Sequence, residues 1–104
     1  MSDMPLSEQF RITAKQWVDS DAAASILEET KSAFLSKKMS EQGDIAVSRA
    51  EMIVKSSPEW QDFVERMVRA RQQANLLKVK LEFLRMKFSE QQSFQATRRA
   101  EMKL

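Results

Sequence analysis

The chain contains no Gly and no Pro after Pro58, and this uninterrupted stretch constrains the fold more than any other feature. Gly and Pro are the residues that most often end helices and form turns. A continuous helix over residues 58–104 would be about 70 Å long, at about 1.5 Å per residue. Residues 1–57 cannot cover that length as one compact layer, so part of the helix must project, fray or meet another chain.

The composition favours an all-α fold. The chain of 104 residues has one Gly and two Pro, and it is rich in residues that favour helices. We predict a flexible tail over residues 1–6, three short helices within residues 7–57, and one long amphipathic C-terminal helix over residues 58–104. The long helix is coiled-coil-like, and we expect an oligomeric helical bundle. A closely wrapped monomeric bundle is the alternative.

Local signals predict where the short helices begin and end. Ser7 is the expected N-cap of the first helix, and Asp19 or Ser20 that of the second. Gly43 stands where the second helix should end. The stripe predicted to be buried on the second helix comprises Ala23, Ile26, Leu27, Thr30, Ala33 and Phe34.

Capping signals also mark the last two helices. Ser48 and Glu51 have the spacing of a capping box, in which each residue bonds the backbone of the other, and they predict the start of the third helix. Ser57 is a good N-cap for the long helix, and Pro58 fits its first position because the missing N–H has no helical partner there. The projecting end after Ser89 is much more polar and is the segment most prone to fray or to order on binding.

The run "ANLLKVKLEFLRMKF", residues 74–88, alternates cations and hydrophobes as a β-strand can. A strand would need a turn and a second alternating run, and the chain has neither, so we predict helix. With Trp60 at position a of a heptad, apolar residues fill every a and d position over four heptads. We call these nine residues the inner seam: Trp60, Phe63, Met67, Ala70, Ala74, Leu77, Leu81, Leu84 and Phe88.

A second apolar set lies on the other side of the same helix. It comprises Leu76, Val79, Phe83 and Met86, at positions c and f, and we call it the outer strip. A helix that is apolar on two faces is buried on two faces. One face can pack on the helices before Pro58, and the other then needs a second copy or another protein. The larger residues of both sets form the predicted oligomer or partner interface.

Charge is divided unevenly along the chain. Residues 1–57 carry 7 Lys or Arg against 9 Asp or Glu, a net charge of −2, and residues 58–104 carry 10 against 6, or +4. Seven cations and one acid, Glu82, lie between residues 66 and 87, a local charge of +6. This cluster indicates an acidic partner. The predicted nucleic-acid-binding residues are Arg66, Arg69, Arg71, Lys78, Lys80, Arg85 and Lys87.

Six of these cations flank the inner seam at the e and g positions. In a parallel homodimer joined through that seam, the like charges would face each other and repel. We therefore expect the seam to pack on the acidic first half of the chain, or antiparallel to another helix.

The residue types present argue against catalysis. Without His, Cys and Tyr, the chain lacks the common general bases, thiolate nucleophiles and zinc ligands, and its single Gly excludes a Gly-rich phosphate loop. Its acids lack the regular spacing of a hard-cation site. We predict a non-enzymatic protein with no metal and no cofactor. With neither an export signal nor a membrane-length apolar run, the expected location is the cytoplasm.

The basic cluster has three interpretations. It can be a solvated helical face, a sequence-independent contact with the phosphate backbone, or a border of cations for binding to a membrane surface. The apolar outer strip favours an alternative function, a protein-interaction adaptor or inhibitor that docks on a partner protein. A structural or virion-assembly subunit is a second alternative.

The run "VERMVRARQQANLLKVKLEFLRMKFSEQQS" resembles small helical proteins encoded by bacteriophages and prophages, and it distantly resembles phage recombination mediators of the UvsY type. The similarity covers residues 59–93 and rests on a basic helix with a Lys/Arg, hydrophobe, Leu, acid, aromatic order. It implies an oligomeric accessory that binds single-stranded DNA and helps a recombination or replication protein onto it, through basic positions 66–87. The location would then be the host cytoplasm.

Overall fold

A computed structural model describes residues 3–103 of the chain. These residues form three α-helices: α1 over Leu6–Ser40, α2 over Val47–Lys55 and α3 over Pro58–Met102. No strand occurs among them, so the all-α class is confirmed and the strand alternative for residues 74–88 is wrong. Residues 1 and 2 of the predicted tail and Leu104 lie outside the described residues.

The first half of the chain forms one long helix where two short ones were predicted. α1 runs through the predicted break without interruption, and Lys15 Nζ bonds Asp19 Oδ2 at 2.9 Å across one helical turn. Ser7 is not the cap either, because the residue before α1 is Pro5 and no side chain caps the helix. Asp and Ser favour N-caps but also fit inside helices, and Ala22, Ala23 and Ala24 continue the helix strongly after them.

The connection and α2 differ from the prediction in detail. Gly43 lies just beyond the end of α1 with φ of +85°, a left-handed conformation that glycine adopts readily. α2 begins at Val47, one residue before Ser48, so Ser48 lies inside the first turn and the predicted capping box is wrong. Glu51 pairs instead with Lys55, at 2.7 Å from Oε1 to Nζ.

The predicted start of α3 is confirmed. Ser57 precedes the helix with an extended backbone, and its Oγ accepts a bond from the backbone N–H of Trp60 at 3.3 Å. Pro58 occupies the first turn. This cap satisfies a backbone N–H of the first turn that has no partner inside the helix.

α1 and α3 pack antiparallel along the inner seam. Phe34 near the end of α1 contacts the start of α3, whereas Phe10 near its beginning contacts Arg85. Five seam residues are buried, Met67, Ala70 and Leu77 are half-buried, and Phe88 at the open end is 48% exposed. Of the two expected arrangements, the structure shows the seam packed on the acidic first half of the chain, with the two helices antiparallel.

α1 has a heptad pattern of its own on the face that it buries. Its covered positions recur in steps of three and four from Leu6 to Leu27 and again one heptad later at Phe34, whereas Lys31 between them is exposed: Leu6, Phe10, Thr13, Trp17, Ser20, Ala24, Leu27 and Phe34. In the predicted stripe only Leu27 and Phe34 are covered, and Ile26 is 61% exposed. Ala24 is buried where Ala23 was predicted to be. The error arose because the helix was assumed to start near Asp19, so its buried face was chosen without reference to Phe10 and Trp17, which lie on the same continuous helix.

An aromatic cluster closes the end of the hairpin nearest to α2. Phe34 stacks on Phe63 with ring centroids 4.6 Å apart and on Trp60 at 6.2 Å. α2 packs against both long helices and buries Val54 and Ala50 there. Offset aromatic pairs add to the free energy gained by burial, so the cluster stabilises this end of the hairpin.

The other end of α3 projects beyond its partner. The described chain measures 84 × 22 × 17 Å, and every α3 residue after Leu84 is exposed. Since α1 begins at Leu6, it runs out where α3 reaches Phe88. Of the three expected outcomes for the long helix, projection, fraying or contact with another chain, the single chain shows projection.

Replacing Phe63 with Ala should lower the free energy of unfolding by about 3 kcal/mol or more, because the substitution removes a buried ring from the aromatic cluster. Urea denaturation followed by circular dichroism measures the effect. The matched control is Phe94→Ala on the projecting end, where the ring is 68% exposed and the change should stay within about 0.5 kcal/mol. Equal losses in the two variants would contradict the assigned core.

Candidate nucleic-acid and protein interfaces

Arg71 is the one residue of the basic cluster that is bound tightly to α1. Its guanidinium donates two hydrogen bonds to Glu28, from Nη2 to Oε1 at 2.7 Å and from Nε to Oε2 at 2.9 Å. Nη1 donates to Asp21 Oδ1 at 2.6 Å, and Nη2 also donates to Ser25 Oγ at 3.3 Å. Two parallel bonds to one carboxylate are the strongest geometry that an arginine makes. The counter-charge of Arg71 is therefore protein.

The same contact shifts the titration of both partners. The hydrogen bonds from Arg71 lower the pKa of Glu28, and they outweigh the opposing effect of partial desolvation. The carboxylates of Glu28 and Asp21 in turn raise the pKa of Arg71, so its charge is permanent. The Arg71 side chain is still 31% exposed, which means that water weakens these effects.

Arg66 and Arg69 have acidic partners one turn earlier on α3. Arg66 Nε lies 3.2 Å from Asp62 Oδ2, and Arg69 Nη2 lies 3.8 Å from Glu65 Oε2. These pairs are mostly exposed, and exposed pairs of this kind contribute little free energy. Both arginines can exchange their partners for another anion at small cost.

Lys78, Lys80, Arg85 and Lys87 form a distinct group, which we call the distal cations. Within residues 3–103, none of them lies within ion-pair distance of a carboxylate. The guanidinium of Arg85 lies 5.9 Å from the centre of the Phe10 ring, a contact that leaves its charge unbalanced. All four residues are exposed.

The neighbouring acids of α1 are already engaged by its own cations. Glu8 bonds Arg11, and Asp19 bonds Lys15, in both cases within one turn of α1. The hydrogen bond from Arg11 lowers the pKa of Glu8. The positive charge of the distal cations is therefore uncompensated by the stretch of α1 that runs beside them.

The outer strip is exposed in the folded chain. Leu76, Val79, Phe83 and Met86 are 66%, 62%, 59% and 62% exposed. Four large apolar side chains in a continuous row on one helix face are unusual on a monomer surface. Of the two apolar faces of α3, the structure covers the inner seam and leaves the outer strip open.

Charged and polar residues border the outer strip on both sides. In the heptad frame that places Trp60 at a, Lys80 and Lys87 stand at g along one border. Asn75 and Glu82 stand at b along the other. An apolar row with one basic and one partly acidic border is the arrangement of a helix-pairing surface.

A small cavity marks the open end of the inner seam. Its volume is about 260 Å³, and it is lined by Leu6, Ser7, Phe10, Leu84, Arg85 and Phe88. It forms because α1 begins at Leu6, so that the Phe88 side chain is only partly covered by α1. The cavity belongs to the end of the helix pair and carries no cluster of reactive groups.

Neither a candidate metal-binding group nor a membrane-spanning helix occurs within residues 3–103. Within residues 3–103 there is no group of three or more acids that could hold a metal ion. Over the same range, no helix combines the length and apolar character needed to cross a membrane. Comparisons with protein-family models, with curated proteins and with solved structures gave no match to this chain.

Sequence reasoning missed the α1 side of the site. Asp21, Ser25 and Glu28 orient Arg71, and Phe10 packs under Arg85. The signal that could have predicted this acidic pair is the heptad pattern of α1. With Phe10 and Trp17 at position a, Asp21 and Glu28 both fall at position e. Arg71 is also at e in α3, and in an antiparallel pair the e positions of the two helices meet.

Replacing Arg71 with Gln should raise the pKa of Glu28 towards its ordinary value, because the main group that lowers it is gone. The folded-state pKa of Glu28 is depressed, so the stabilising effect is present above the unfolded pKa and is lost as the pH falls through the folded value. The stability difference between wild type and variant should therefore be largest near neutral pH and shrink in acid. Carboxyl-carbon NMR titration and urea denaturation at a series of pH values measure the two effects.

The control is Arg69→Gln, which removes the same charge from the same helix but from a pair that does not involve Glu28. It should leave the pKa of Glu28 where it is. A Glu28 pKa unchanged by Arg71→Gln would contradict the assigned contact.

Proposed function

We propose that this protein is a non-enzymatic accessory that binds nucleic acid without sequence preference through the distal cations. The observation that carries the proposal is that Lys78, Lys80, Arg85 and Lys87 have no carboxylate partner among the described residues, although the chain as a whole is nearly neutral. Phosphate groups are the abundant cellular anions that match such an unpaired row.

The arrangement of the distal cations fits a backbone contact better than base recognition. Lys78 and Arg85 flank the inner seam on one side of α3, and Lys80 and Lys87 flank it on the other. Long basic side chains on both flanks of one helix can reach phosphates while their stems lie on apolar surface. Arg98, Arg99 and Lys103 extend the basic character along the projecting end.

Arg71 contributes to this function indirectly. Since Asp21 and Glu28 hold its guanidinium, it positions α3 and leaves phosphate contact to the residues further along the helix. Arg66 and Arg69 add weaker contacts, because each must first leave its acidic partner.

The resemblance of residues 59–93 to phage proteins supports a narrower form of the proposal. In this form the protein acts in the cytoplasm of a phage host, as an oligomer that helps a recombination or replication protein onto single-stranded DNA. The projecting helix suits such a role, because a solvent-exposed helical end can become fully ordered when it binds a DNA strand or a partner protein.

The exposed outer strip favours a second candidate function, an adaptor or inhibitor that docks on another protein. Its binding would be dominated by apolar burial and would depend little on salt. Phe83→Asp would then weaken binding more than reversal of the distal cations. The two functions are distinguished by which surface is needed for activity.

The triple variant Lys78→Glu, Lys80→Glu, Lys87→Glu should lose nearly all affinity for a fluorescein-labelled oligothymidine, measured by fluorescence anisotropy at low salt. For the wild type, affinity should fall steeply between about 50 and about 200 mM salt, because each phosphate contact releases bound counterions. Circular dichroism should show that the helices remain.

The matched control is Lys37→Glu, Arg49→Glu, Lys55→Glu, which makes the same change in net charge at the α2 end of the hairpin. It should keep most of the affinity. The proposal is wrong if the wild type does not bind single- or double-stranded oligonucleotides at low salt, or if the two triple variants bind equally.

A further inference from the structure

We propose that the outer strip pairs with the outer strip of a second copy of this chain, with the two α3 helices parallel and in register. The strip is the apolar face of α3 that the fold leaves open, and its exposure is high at all four residues. The inference is independent of nucleic-acid binding and can be tested with the protein alone.

The strip has the spacing of a coiled-coil core. Counted in a frame of its own, Leu76 and Phe83 stand at a, and Val79 and Met86 stand at d. In this frame Lys80 and Lys87 occupy e, and Asn75 and Glu82 occupy g. In parallel coiled coils the g residue of one helix meets the e residue of the next heptad on the other.

The charges favour the parallel arrangement of two copies. A parallel pair brings Glu82 of each copy beside Lys87 of the other, and Asn75 beside Lys80. The pair therefore gains two opposite-charge contacts related by the twofold axis, and no like charges meet along the strip. Charge complementarity across an identical surface is what a closed twofold interface requires.

The antiparallel arrangement is disfavoured by the same residues. In an antiparallel helix pair, the e positions of one helix meet the e positions of the other. The contact between α1 and α3 is an example, because Arg71 at e meets Asp21 and Glu28, both at e of α1. Applied to two antiparallel strips, the rule sets Lys80 against both Lys80 and Lys87 of the second copy. Glu82 then faces Glu82. Like charges on both borders oppose this pairing.

The rest of the fold leaves room for the second copy. The inner seam and the outer strip lie on opposite faces of α3, so the two α1 helices would lie on the outside of the pair. The strip begins at Leu76, about 24 Å along the helix from Trp60 at about 1.5 Å per residue, and α2 packs at the Trp60 end. Neither α1 nor α2 covers the face that the second copy uses.

Polar residues limit the length of the contact. The next core positions of the strip are Gln72 at d on one side and Glu90 at a on the other, and both are exposed. A core of four apolar residues per copy is short for a coiled coil, so we expect a reversible dimer whose population depends on concentration.

Sedimentation equilibrium of the full chain, without nucleic acid and up to about 1 mM, should show a monomer–dimer equilibrium. Phe83→Asp should weaken the association at least tenfold, since it places a charge in the centre of the core. Phe94→Asp is the matched control on the projecting end and should leave the association unchanged. A wild type that stays monomeric, or a dimer that survives Phe83→Asp, overturns the proposal.

The absence of Cys from the chain allows a direct test of orientation. In the parallel dimer Val79 lies beside Val79 of the second copy, so Val79→Cys should form a disulfide-linked dimer under mild oxidation. Ser36→Cys, exposed on α1, is the control and should cross-link much less. Rapid linkage between Val79→Cys and Phe83→Cys chains, without linkage of Val79→Cys to itself, would show an antiparallel pair and overturn the proposal.

A charge exchange tests the borders of the strip. Glu82→Lys and Lys87→Glu should each weaken the dimer, and the double variant should recover most of the loss because the opposite pair is rebuilt in reverse. A double variant as weak as the sum of the single changes would contradict the parallel register.

Discussion

The antiparallel packing of α1 on α3 decides the rest of this structure. It buries one of the two apolar faces of α3 and so determines which face remains open. The bonds from Arg71 to Glu28 and Asp21 favour one register of the pair, because a slip by one heptad would leave Arg71 with only one of its two acids. Apolar seams alone specify register weakly, since one layer of Leu or Ala resembles the next. A single polar contact of this geometry therefore contributes specificity beyond the free energy that it adds.

The functional surfaces follow from the ion pairs that the acids of α1 form. Its two inward-facing acids hold Arg71, and Glu8 and Asp19 are taken by neighbours on α1. Among the described residues, no acid of α1 lies within ion-pair distance of the distal cations. The outer strip lies along the same part of α3, between Lys80 and Lys87 on one side and Glu82 on the other. One stretch of helix thus presents phosphate-binding chemistry and helix-pairing chemistry side by side, and pairing through the strip would collect the distal cations of two chains on one assembly.

The long helix could be predicted from the sequence because its signals extend over many residues. The inner seam and the second apolar face rest on patterns repeated over several heptads, and the structure agrees with both. Predictions that rested on a few adjacent residues had mixed outcomes: the start of α3 at Ser57 and Pro58 is confirmed, whereas the caps at Asp19 and Ser48 are wrong. A residue that can cap a helix can also lie inside one, and packing against α3 decides between the two. Arg71 could not be separated from the other six cations, because its acidic partners are far away in the chain and only the fold brings them close.

The position of the aromatic cluster also has a consequence for how the chain folds. Phe34 and Trp60 are separated by only about 25 residues, whereas residues that meet at the open end are separated by about 80, so closing the chain costs least entropy beside α2. The aromatic cluster is therefore the layer that forms after the shortest loop. We expect the helix pair to form first at the α2 end and last near Phe88. On heating or in denaturant, we expect it to open first near Phe88. The helix pair then has a built-in direction of assembly, and its distal half is the last part to acquire structure.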